Sequence, residues 1–127
     1  QRGWPAAVAA LPNAPEDAFV ALDRDFGGKT RFITVAFLLH LLHPGKVPII
    51  DQHNFRAVNA FMTCVHPAWH TRKQPSHYED ITLVAAFMQA VLAAWVLGAP
   101  ESAPSGRDLD KFLMMYGKAI KERSNGR

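Results

Sequence analysis

Cysteine is all but missing from this chain: Cys64 stands alone among 127 residues. An internal disulfide is thereby excluded, as is any zinc module built on several thiolates, and a reducing, cytoplasmic setting fits best. The six histidines follow no H-E-x-x-H pattern. His40 and His43 fall one turn apart on a predicted helix, and His66 and His70 flank Pro67 and Trp69 in a predicted loop. Neither pair has an evident acidic partner, so both read as structural and no metal or other cofactor is expected. Internal repeats and low-complexity tracts are absent. Phe32 to Leu42 reads as the longest apolar run, broken by Thr34 and His40, and it falls short of the ~20 residues a membrane span requires. No membrane contact is expected. The Ala-rich piece Pro5 to Leu11 lacks the length of a secretory apolar region and a clear cleavage site. A strong charge imbalance is lacking too: 14 Lys and Arg against 11 Asp and Glu leave a formal +3 at pH 7, a mild bias toward anionic partners.

What is present is the composition of a folded protein, with 49% apolar and 20% charged residues and three Trp. The length suits one domain, 1–127, able to bury roughly two-thirds of the surface its unfolded chain exposes. After an irregular or briefly helical segment 1–14, Pro15-Glu16-Asp17 suits the first turn of a helix with Phe19, Leu22 and Phe26 on its apolar side. Gly27-Gly28 breaks it. Lys29 to His43 is helical and apolar almost all round, the pattern of an element enclosed by others, and Pro44-Gly45 ends it. Val47 to Ile50 reads as an extended connector, since Pro48 biases Val47 away from helix. Asp51 is the expected N-cap of a helix to about Val65, with Phe55, Val58, Asn59 and Met62 on one stripe. Ser76 and Glu79 stand in the relation of a capping box ahead of a long apolar helix from about His77 to Leu97, closed by Gly98. Ser105 and Asp108 form a related cap for a last helix with Leu109, Phe112, Met115, Tyr116, Ala119 and Ile120 on its apolar face. The basic end, 118–127, is expected to fray into solvent. The predicted class is all-α, a compact bundle of four to five helices.

Two stretches carry chemistry. Phe26-Gly27-Gly28-Lys29-Thr30 is a glycine turn opening a helix with Lys and Thr. Pro48-Ile49-Ile50-Asp51-Gln52-His53-Asn54-Phe55-Arg56-Ala57-Val58 is a Pro-led approach to an aspartate at a helix start. Together they resemble the helix-hairpin-helix base-excision DNA glycosylases, whose hairpin follows an L-P-G-V-G-x-K-T-A pattern and whose next loop ends in something like P-V-D-T-H-V-x-R-V. The resemblance implies a helix-hairpin-helix turn and binding of double-stranded DNA, with a damaged base swung out of the duplex. By it, Asp51 is the catalytic carboxylate, stabilising positive charge on the sugar or activating a nucleophile. Lys29 becomes the amine nucleophile of the bifunctional members. The amides around Gly27 and Gly28, with Thr30, hold a phosphate, and His53 and Arg56 are phosphate or pocket contacts.

Plainer readings of the same residues stand beside that one. Asp51 is also an ordinary helix cap, Lys29 a solvated amine, and Gly27-Gly28 a turn whatever it binds. Lys111, Lys118, Lys121 and Arg123, with Arg72 and Lys73, make either a basic surface or simply solvated charge. Trp69 and Tyr78 either stack on a base or anchor their loop. Three functions remain open: a DNA glycosylase or lyase, a DNA-binding relative without chemistry, and a helical protein whose apolar stripes drive self-association, with a homodimer restoring the missing wall of a pocket.

Overall fold

The computed structural model describes residues 14–26 and 32–125, with the side chains of Phe26 and of residues beyond 123 outside the description. Among these residues the chain forms five α-helices and no strand: α1 (Pro15–Phe26), α2 (Phe32–Leu42), α3 (Gln52–Val65), α4 (Tyr78–Gly98) and α5 (Gly106–Asn125), with a 3-10 turn at Pro100–Ser102. It is the all-α bundle that the periodicity predicts. The glycine turn, with Gly27, Gly28, Lys29 and Thr30, lies outside the described residues, and so does the segment 1–13.

The apolar periodicities explain how the helices meet. Phe55, Ala57 and Val58 of α3 are fully buried, and α3 forms the most extensive helix pair with α5, whose Leu109 and Leu113 face it. Gly117 makes that crossing close: a Cβ at this position would stand 1.8 Å from the His53 carbonyl oxygen. Only glycine lets two backbones approach so nearly. On the other side α1 pairs with α2, and Phe19 packs its ring 5.8 Å from Phe32 and 5.4 Å from Tyr78 at the start of α4. After α2, the His43 carbonyl accepts from the amides of Lys46 (3.1 Å) and Val47 (2.8 Å), closing the Pro44-Gly45 turn. Val47 sits in a bend and Pro48 to Ile50 have no regular structure, with the side chains of Val47 and Ile50 buried.

Four expectations are corrected. First, α2 is not enclosed. Val35, Ala36 and Leu39 are sealed, but Phe37 and Leu41 are 45% and 58% exposed, because no described helix covers that face. Second, α4 begins one residue later than the Ser76–Glu79 box implies. His77 is its N-cap, and the buried Asp80 accepts from the amides of Ser76 (2.7 Å) and His77 (2.9 Å), while Glu79 is exposed. Asp80 wins because it also pairs with Arg72. Third, the apolar face of α5 turns on Leu109, Leu113 and Gly117, leaving Phe112 and Met115 exposed. Ser105 does cap it, accepting from the Asp108 amide at 3.1 Å, but the helix persists to Asn125 instead of fraying at 118. Fourth, the longest apolar run lies in α4 and not in α2: this 21-residue helix is, by length and composition, long and apolar enough to cross a membrane, and little of its apolar stretch is buried.

Candidate functional site

The site grows from the start of α3. Asp51 has extended backbone (φ −142°, ψ 178°), so its side chain folds back over the first turn. Its Oδ1 accepts from the amides of His53 (2.7 Å) and Asn54 (2.8 Å). These are two of the donors that every helix start leaves without an internal partner, and a carboxylate there is also favoured by the helix dipole. Asn54 returns the contact, its Oδ1 accepting from the Asp51 amide at 3.0 Å. The cap reading of Asp51 is therefore correct as far as it goes.

Asn54 does more than cap. Its side chain is fully buried, and Nδ2 donates both to the Ile49 carbonyl (2.7 Å) and to Asp110 Oδ1 on α5 (2.9 Å). One amide thus ties the approach loop, the cap and a second helix together with every polar atom used. Burial pushes the Asp110 carboxyl up from its ordinary value. The Asp51 charge adds to that rise, and the Asn54 amide and His40 pull against it.

Asp51 is not sealed in. With Phe32, Gln52, His53, Gln74 and Pro75 it lines a hollow of about 260 Å³. Among the described residues, both hydrogen bonds that the Asp51 carboxylate accepts fall on Oδ1. Arg56 Nη1 donates to His53 Nδ1 (3.2 Å) and to the Gly117 carbonyl (3.3 Å). Since that bond makes Nδ1 an acceptor, the neutral His53 ring carries its proton on Nε2. Arg56 itself ties α3 to α5.

The structure therefore brings Asp51, His53 and Arg56 together, while Gly27, Gly28, Lys29 and Thr30 lie outside the described residues. Trp69 is an anchor: its Nε1 donates to Asn59 Oδ1 at 2.9 Å, and Asn59 is itself buried on α3. Arg72 is committed to Asp80, and its guanidinium also lies 5.7 Å from the Phe55 ring centre. The cations Lys111, Lys118 and Arg123 are exposed along α5. Among the described residues no group of three His, Cys, Asp or Glu is placed to hold a metal.

Two residues of the site were absent from the sequence-level candidates, and each left a signal. Asn54 stands three residues after Asp51, the spacing of a reciprocal cap. Asp110 falls between Leu109 and Leu113 on the buried side of α5, where a charged residue needs a partner. Compared with known protein families, curated proteins and solved structures, the chain matches none.

Proposed function

We propose that this chain is a DNA-binding protein of the helix-hairpin-helix glycosylase type that holds an extruded base before Asp51. The observation supporting this is a carboxylate whose Oδ1 is held by helix amides and whose residue lines a hollow of about 260 Å³. That volume lies just below the range of roughly 300–1,000 Å³ that takes drug-sized molecules, which suits a single planar ring. As the N-glycosidic bond breaks, its electron pair leaves with the base, and positive charge grows on the sugar. A fixed carboxylate stabilises that charge and accepts a proton from the water that bonds to the sugar carbon. Gln52, Gln74 and His53 Nε2–H supply polar contacts for a base edge. Lys29 is the proposed amine for a lyase step through a Schiff base.

Asp51→Asn is the discriminating variant, because Asn is as good an N-cap as Asp and the cap geometry survives while the charge is lost. Release of a damaged base from duplex DNA is expected to fall by about 100-fold or more, with the unfolding midpoint nearly unchanged. Cleavage that persists in this variant, or duplex binding insensitive to salt, would overturn the reading. Borohydride trapping on abasic duplex, lost in Lys29→Ala, tests the lyase step separately.

A second reading, association through apolar helix faces, is favoured by a different observation. A hollow of about 380 Å³ between α3, α4 and α5 is lined by Phe61, Phe87, Val91, Trp95 and Phe112, and its rim residues Trp95 and Phe112 are 42% and 51% exposed.

A further inference from the structure

A second hollow is larger than the one before Asp51. It has a volume of about 510 Å³ and lies where the turn after α2 faces α4 and the start of α5. We propose that it is a binding site for a small organic anion with an apolar body, a carboxylate carried on an alkyl chain or ring system. The inference is independent of the role assigned to Asp51.

Size, lining and charge each contribute. The volume falls within the range that encloses a drug-sized molecule. Met88, Leu92, Val47 and Ile49 make most of the walls apolar, with Gln89 and His40 as polar lining, and Met88 and Val47 are themselves buried. Lys46 and Arg107 line the same hollow yet remain exposed, which places their charges at its mouth. The sole carboxylate in the lining is Asp110. It is already engaged by Asn54 Nδ2, and the two cations Lys46 and Arg107 outnumber it in the lining. His40 donates from Nδ1 to the Val47 carbonyl at 2.7 Å, which locks the ring and the turn that forms one wall.

An apolar cleft with two cations at its lip fits a molecule with a charged head and a greasy body. A nucleic-acid backbone fits it poorly, because a phosphodiester chain would meet the two cations and leave the apolar interior unfilled. The hollow lined by Phe61 and Phe112 provides an internal contrast, since no Lys, Arg or His lines it. A neutral apolar molecule gains nothing from choosing the Lys46–Arg107 hollow over that one.

The test uses decanoate and decanol, which share a body and differ in charge, titrated below micelle formation and followed by amide chemical shifts. Decanoate is expected to bind at one site, shifting amides near Lys46, Met88 and Arg107, and more tightly than decanol. The double variant Lys46→Ala/Arg107→Ala, which changes only exposed side chains, is expected to weaken decanoate at least tenfold and leave decanol unchanged. Met88→Trp, which fills the floor, is expected to abolish both effects there. Equal affinities for the two probes, shifts centred on Phe61 and Phe112, or decanoate binding indifferent to the double variant would each overturn the proposal.

Discussion

Asn54 is the residue on which most of the site's order depends. It satisfies the Asp51 amide, the Ile49 carbonyl and Asp110 Oδ1 at once. Asn54→Ala leaves three part-buried polar groups without this partner, and a group left fully stranded costs about 1–3 kcal/mol. With partial relaxation, urea unfolding is expected to show a loss of about 2–4 kcal/mol. Asp110 behaves oppositely. Its folded carboxyl holds its proton to higher pH than the unfolded one, so between the ordinary value near 3.8 and the raised folded value the native state binds more protons. Stability therefore falls as pH rises through that window, and the deficit persists above it. Asp110→Asn keeps an acceptor for Asn54 and removes the charge. It is expected to flatten this slope and to stabilise the protein at pH 7 relative to pH 4, measured by denaturant midpoints at both.

The helices owe their placement to features that no single residue's propensity reveals. Gly117 and Gly106 both lie in α5, yet replacing them should have opposite signs. At Gly117 a methyl would collide with the His53 carbonyl, and moving backbone is the only relief, so Gly117→Ala is expected to cost about 3 kcal/mol. At Gly106 the same methyl would rest 4.0 Å from Leu92 Cδ1, an ordinary contact. Gly106→Ala is expected to gain about 0.5–1 kcal/mol from the reduced freedom of the unfolded chain. Thermal unfolding of the two variants side by side checks both signs. The start of α4 depends on a buried charge: removing Arg72 would leave Asp80, nearly inaccessible, without its ionic partner. Two amides still solvate that carboxylate, so Arg72→Ala is expected to cost about 3 kcal/mol, at the low end for breaking a buried pair.

At the scale of the molecule, the unusual quantity is apolar surface left open. Leu97 is 88% exposed, Met115 72% and Phe112 51%, and apolar surface, where it is contiguous, marks a place where something docks. If a second copy covers the Phe61–Phe112 hollow, sedimentation should report a mass that rises with concentration. Phe112→Lys should then weaken association by about tenfold, or 1.4 kcal/mol, without altering the fold. A mass independent of concentration would count against self-association and leave the surface to another partner.

The helical class, the turns at Pro44-Gly45 and the caps at Asp51 and Ser105 were legible in the sequence because each rests on chemistry local to a few residues. Those interactions stay within one turn of chain, and the spacing of residue types encodes them directly. The exposure of α2, the replacement of Glu79 by Asp80 and the inward turn of Leu113 in place of Phe112 were not, because each depends on what a distant helix presents. The site divides in the same way. Asp51 announces itself by its position after Pro48-Ile49-Ile50, whereas its link through Asn54 to Asp110 spans 56 positions of sequence. Local order was thus determined by the residues in line, and the buried polar chain and the hollows by tertiary packing, since burial energies exist only once separate helices exclude water from the same space.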